Sequence, residues 1–203
     1  MTTTRGNARR RALLEKAGEM FLSHGYDAIS IDALISEVGG SRRNIYSTYN
    51  NKEGLFEAAV RELCEQYVRP ISELSIKTSC PQLALADFAS ELLTSVLKPS
   101  ALALQRLMIA ESHRLPNVSQ AIFTAGHERV VAILAGWLEE GQLKGAFRQD
   151  LPPARLADLF VNMVVTGPQL RANIGLIVDP LDPSVIRAMA VEGTTLFLKG
   201  ALV

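Results

Sequence analysis

Apolar residues recur at three- and four-residue intervals along most of the chain, the repeat of a helix face, and no stretch alternates convincingly as a strand does. In residues 8–24, Leu13, Leu14, Ala17, Met20 and Phe21 share one face, and Gly25 fits the left-handed position that ends a helix. Ser30 is placed to cap a second helix, in which Ile31, Leu34, Ile35 and Val38 face one way before Gly39-Gly40 stops it. Ser41 can cap a third short helix with Ile45 as its inward anchor. Asn50 or Asn51 caps a long fourth helix with Leu55, Phe56, Ala59, Val60 and Leu63 on its apolar side, and Pro70 disturbs or ends it. Further helices are expected near 82–97, 100–114, 117–144, 153–174 and 183–200. Their breaks fall at Pro81, Pro99, Pro116, Gly145, Pro152-Pro153 and the DPLDP turn at 179–183.

The pattern predicts an all-α protein. An N-terminal three-helix unit, residues 1–52 with a basic arm at 1–8, is joined by the long fourth helix to a larger helical domain over 53–203. Two short helices across a tight glycine turn make a helix-turn-helix. In such a unit the second helix enters the major groove and its first residues meet the base edges. Here that end presents Arg42, Arg43 and Asn44. Arginine can donate two hydrogen bonds to guanine, and asparagine can pair in the same way with adenine. Ser41, Tyr46, Thr48 and Lys52 carry hydroxyls or a cation suited to phosphate oxygens, and Ser30 at the preceding cap is counted with them. Tyr49 is expected to pack beneath the turn.

Charge sharpens this picture. The 203 residues hold 21 Lys plus Arg and 21 Asp plus Glu, so net charge points to no partner. Its distribution does. Residues 1–11 hold Arg5, Arg9, Arg10 and Arg11 without an acid, and no acid stands between Glu37 and Glu53. Two basic spots near one end of a neutral chain suit a local anionic partner, double-stranded DNA. Arg9 and Arg10 are candidates for the backbone or adjoining minor groove, or for a solvated tail.

The stretch AGEMFLSHGYDAISIDALISEVGGSRRNIYSTYNNKEGLFEAAV resembles the DNA-binding module of the TetR family of bacterial transcriptional regulators. The resemblance rests on Ile45-Tyr46, Ser47-Thr48, Tyr49, Lys52-Glu53 and Leu55-Phe56. Gly40 stands where many members carry a small apolar or β-branched residue, and Thr48 where His or Tyr is frequent. The resemblance implies that Tyr46, Thr48 and Lys52 touch phosphates while Arg42, Arg43 and Asn44 face bases. Residues from LLTSVLKPS to GAFRQ look similar to the AefR-like C-terminal subtype, which suggests regulators near efflux, stress or signalling genes.

A two-fold dimer would double the contact and read half-sites about 34–36 Å apart. Leu156, Phe160 and Val164, with Met189 and Phe197 on the last helix, are candidates for the dimer interface. Both helices are apolar on more than one side and must be buried on more than one side. A four-helix interface with a second copy meets that need, as the family resemblance implies; interior helices of a monomer meet it too. The resemblance also implies a small-molecule site in the second domain. Phe88, Leu92, Met108, Phe123, Trp137 and Met163 are candidates for an apolar lining, and Gln105, Glu111, Ser112, His127, Asn162 and Thr166 for orienting polar groups. Plain core or surface is the competing reading for each.

The chain is thus expected to be a dimeric regulator, most simply a repressor that leaves a near-palindromic operator when a small apolar effector binds. A DNA-binding regulator controlled by a protein partner is the alternative, and a helical enzyme is remote. Glu111, His113, His127 and Glu128 form no H-E-x-x-H pattern, no nucleophile elbow or phosphate-binding glycine loop is present, and no metal or cofactor is expected. Cys64 and Cys80 fit reduced thiols. No apolar run reaches the roughly 20 residues of a membrane span, and MTTTRGNARR lacks the hydrophobic segment of a secretory signal. A cytoplasmic protein, at the nucleoid when DNA-bound, is expected, with no membrane partner.

Overall fold

Helix starts in this chain are written by proline and by capping side chains. A computed structural model describes residues 4–39, 41–74 and 80–202. Pro81, Pro99, Pro116, Pro153 and Pro183 each open a helix, where a missing N–H costs nothing and the fixed φ is already helical. The elements are α1 (Thr4–His24), α2 (Ile31–Val38), α3 (Arg42–Tyr49), α4 (Lys52–Ser72), α5 (Pro81–Val96), α6 (Pro99–Glu111), α7 (Pro116–Phe123), α8 (Arg129–Leu143), α9 (Pro153–Asn173) and α10 (Pro183–Ala201). One isolated bridge, Phe147 with Leu202, is the only β pairing among the described residues.

The expected elements are present, with three differences. α1 begins at Thr4, so residues 4–8 of the expected arm are helical and Arg9 and Arg10 stand on α1. Extending an established helix backward adds one hydrogen bond per residue fixed, which a polar segment can sustain. The first three residues of that arm and Gly40 lie outside the described residues. α6 ends at Glu111 rather than near 114, because Leu115 precedes a proline and is pushed out of the helical region. The helix expected over 117–144 is divided by a π-helical turn, Thr124–Glu128. Pro70 sits within the last turn of α4, which stops two residues later at Ser72, close to the expected end.

The chain forms two compact units: Met1–Gln66 with Ala103–Gly126, and Tyr67–Leu102 with His127–Val203. Beyond residue 52 the first unit holds most of α4, most of α6 and all of α7.

In the first unit Phe21, Tyr26 and Phe56 form an aromatic knot, with Phe21 and Phe56 ring centroids 4.7 Å apart. α1 and α4 approach closely at Gly18, where a Cβ would lie 2.9 Å from a Leu63 methyl. Arg11 ties the same seam by pairing with Glu15 and Glu62, while Gln66 donates to Glu15. In the second unit α5, α8, α9 and α10 close around Phe88, Leu92, Leu134, Phe147 and Phe160. Arg187 on α10 reaches Asp87 on α5, and Gln142 donates to the carbonyls of Arg148 and Leu151.

Candidate nucleic-acid interface

α3 is an eight-residue helix with one buried side chain, Ile45. Ile45 fixes it to the head, while Arg42, Arg43, Asn44, Tyr46, Ser47 and Thr48 are exposed. Ser41 caps it by accepting from the Asn44 N–H at 3.3 Å, and Ser30 does the same for Ala33 of α2 at 3.1 Å. Both hydroxyls keep a hydrogen to donate to a phosphate oxygen. No acid lies in the first turn of α3.

The turns around α3 are stereochemically demanding. Gly39 ends α2 at φ 71°, in the left-handed region, and Asn50 ends α3 at φ 65°. Asn51, rather than Asn50, caps α4 by accepting from the Gly54 N–H at 2.8 Å. Gly54 runs so close to α3 that a Cβ there would lie 2.1 Å from the Tyr49 carbonyl oxygen. That contact sets how α3 meets α4.

The two arginines are not equivalent. Arg42 donates from Nε and Nη2 to the two carboxylate oxygens of Asp32 on α2. Arg43 has no carboxylate partner among the described residues. Lys52 is also engaged. Its Nζ lies 4.2 Å from the centre of the Tyr26 ring and 3.4 Å from the Asp27 carbonyl oxygen. Burial lowers the pKa of Lys52, against the pull of Asp27. Arg114, just after α6, grips Asp27 with both terminal nitrogens and also reaches Glu111 at 3.1 Å. Sequence reasoning missed Asp27, Asp32 and Arg114, because the Asp32–Arg42 and Asp27–Arg114 pairs lie 10 and 87 residues apart and no local spacing announces them.

The candidate effector residues divide between the two units. Met108, Ser112 and Phe123 come together in the first unit, with Ile109, Pro116, Ser119 and Gln120, around an open groove of about 370 Å³. Glu111 is drawn to Arg114 instead, and Gln105 is half-buried on α6. In the second unit Phe88 and Leu92 are core, and Trp137 packs edge-on against Phe147. His127 and Asn162 converge on Asp158, at 3.1 and 2.8 Å, beside Arg155. Asn162, Met163 and Thr166 lie on the exposed side of α9, so they line no interior cavity of that unit.

The expected dimer residues lie mostly inward in the single chain. Leu156, Phe160 and Val164 are buried in the chain's own core, and Met189 and Phe197 pack against it. The α9 face turned to solvent carries Leu159, Met163 and Leu170, with Ile174 just past its end, while α10 shows Val185, Val191 and Leu196. The strongest apolar positions of an amphipathic helix go to its own core. Among the described residues no cluster of three His, Cys, Asp or Glu side chains is arranged to hold a metal, and no helix is long and apolar enough to cross a membrane.

The family comparisons fit this arrangement. Residues 13–59 match the model for bacterial regulatory proteins of the tetR family, and 83–200 match the AefR-like transcriptional repressor C-terminal domain. The chain belongs to the TetR family. Members are DNA-binding transcriptional regulators, and this chain is a regulator rather than an enzyme. It is 26% identical over 198 residues to the HTH-type transcriptional repressor ComR of Escherichia coli K12, covering 96% of this chain and 90% of that protein. Among solved structures it resembles the flavonoid-responsive regulator FrrA, with 28% identity, a TM-score of 0.78 and coverage of 96% and 98%. A TetR-family regulator from Mesorhizobium loti shares the fold at a TM-score of 0.87 and 23% identity, over 99% of this chain and all of that one.

Proposed function

We propose that the protein is a homodimeric repressor that reads a near-palindromic operator through α3 and leaves it when a small apolar effector binds. The observation that carries the DNA reading is α3 itself, with Ile45 its one fully buried side chain and a polar surface to which its own residues contribute no acid. Arg42, Arg43 and Asn44 face bases. Ser30, Ser41, Tyr46, Thr48 and Lys52 hold phosphates, and Arg9 and Arg10 on α1 add backbone contacts. The exposed apolar stripes of α9 and α10 pack against their copies in a second chain, which sets two α3 helices about one helical turn apart. Such a protein works in the cytosol, at the nucleoid when DNA-bound.

Effector release is supported by the groove beside α6 and α7 and by the likeness to a regulator whose name records a flavonoid response. One feature favours a second reading, control by a protein partner. The groove is open, with Ile109 and Phe123 exposed, and suits an inserted side chain as well as a small molecule. Fluorescence anisotropy on duplexes carrying inverted repeats tests the operator reading. Absence of any preference for a repeat over a scrambled duplex would end it. A thermal-shift screen with planar aromatic compounds tests the effector, because a ligand that binds only the folded state raises the melting temperature.

A further inference from the structure

Arg42 occupies a place that helix stability does not favour. It is the first residue of α3, at the positive end of the helix dipole, where a cation is repelled. What holds it is Asp32, in the first turn of α2, which accepts from Nε with one oxygen and from Nη2 with the other. This fork joins the two helices of the helix-turn-helix through their side chains. It lies on the surface, with the Arg42 side chain 65% and the Asp32 side chain 58% exposed. An exposed ion pair adds little to folding, so stability alone is a weak reason for it.

The donors left over are informative. Asp32 takes the edge formed by Nε and one hydrogen of Nη2. Both hydrogens of Nη1 and the second hydrogen of Nη2 remain. The Nη1–Nη2 end can therefore still present two parallel N–H groups, the pattern that matches O6 and N7 of guanine. A guanidinium already clamped on one edge loses less freedom when it pairs on the other. It is also restrained from swinging to the nearest phosphate, where it would bind every sequence alike.

We propose that Asp32 is the positioning residue that makes Arg42 a guanine reader, and that its carboxylate also suppresses binding to unrelated DNA. This rests on the reading of α3 as the base-reading helix. Asp32 acts in two ways. Its fork aims Arg42, and its negative charge offsets one cation at the DNA-facing surface. Arg43 shares the helix end but has no such partner among the described residues, so it stays free to sample bases and backbone.

The test uses the full chain and a pool of duplexes with a randomised core. Selection with the wild-type protein defines a half-site, and selection with Asp32→Asn is then compared with it. The expected result is loss of one G·C preference per half-site, with the other positions kept. On a scrambled duplex Asp32→Asn should bind roughly 3- to 10-fold tighter at low salt, and its log–log salt slope should steepen by about 0.9 per subunit, as for one more phosphate contact. Arg42→Ala should lose the same G·C preference, and adding Asp32→Asn to it should change the selected sequence no further. Asp32→Glu should restore part of the preference. Asp32→Ser, which suits a helix start but cannot form the fork, repeats the comparison if Asp32→Asn lowers the melting temperature. An unchanged consensus and salt slope in both stably folded variants would overturn the proposal. If the wild-type protein selects no sequence at all, the DNA reading of α3 fails first and the proposal falls with it.

Discussion

The Arg114 guanidinium holds both carboxylate oxygens of Asp27, at 2.8 and 2.9 Å, and so ties the corner after α6 to the turn between α1 and α2. The Arg114 hydrogen bonds, first among the causes, hold the Asp27 carboxyl below its ordinary range. Such a carboxylate contributes stability that is complete above its unfolded pKa, about 3.9, and is lost as pH falls through the lower folded value. Asp32, Asp150, Asp158 and Asp182 are shifted in the same direction. The melting temperature is therefore expected to fall below about pH 4. Arg114→Ala should melt slightly below wild type at pH 6, most visibly at low salt, with the gap closing toward pH 2. A gap that stays constant across that range would contradict the role of this pair.

Gly54 permits the contact between α3 and α4. Its missing Cβ would lie 2.1 Å from a backbone oxygen, which cannot rotate away as a side chain can. Gly54→Ala is expected to cost about 1–3 kcal/mol through overpacking. Urea denaturation measures this, and a midpoint equal to wild type would show that the close approach is not needed.

The two cysteines should react differently. Cys64 is buried, with its Sγ 3.8 Å from the Ile122 carbonyl oxygen, and burial pushes its thiol up to about 12. At pH 8 the thiol therefore stays protonated, and the thiolate is the form that reacts. Cys80 is half-buried. Iodoacetamide followed by mass mapping should label Cys80 in the native protein and Cys64 only in denaturant. Equal labelling would refute the burial argument.

The faces of α9 should separate association from folding. Leu170 is 58% and Ile174 61% exposed, whereas Phe160 is fully buried. Leu170→Asp is expected to leave a folded monomer, visible as a halved mass by light scattering. Phe160→Ala should destabilise the fold by about 3–5 kcal/mol through a cavity. A Leu170→Asp protein that remains dimeric would move the interface elsewhere.

At the DNA surface, Arg43→Ala should relax preference at its base pair by about 1–3 kcal/mol, whereas Lys52→Ala should weaken all duplexes alike. Lys52 also stacks over Tyr26, so its variant should lose some melting temperature as well. A mobility-shift series over operator variants distinguishes the two effects. Unchanged binding in both variants would discard this placement of the site.

Much of the fold was legible because its signals are local. Ser30 and Ser41 cap where a serine before an apolar repeat implies a cap, and prolines open the later helices. Three- and four-residue periodicity found the helices, but could not say which of two apolar faces turns inward. Leu156, Phe160 and Val164, read from the pattern as interface candidates, lie in the chain's own core. The π turn at Thr124–Glu128 left no mark, since it changes hydrogen bonding within an otherwise continuous helical pattern. The ion pairs Asp27–Arg114 and Asp32–Arg42 depend on tertiary approach, and so are silent in spacing.

Ile45 is the single inward anchor of α3. Apart from half-buried Tyr49, the remaining side chains of that helix are exposed. On the proposed reading of α3, exchanging a few of its outward residues would redirect the protein to another operator while the scaffold beneath them is kept.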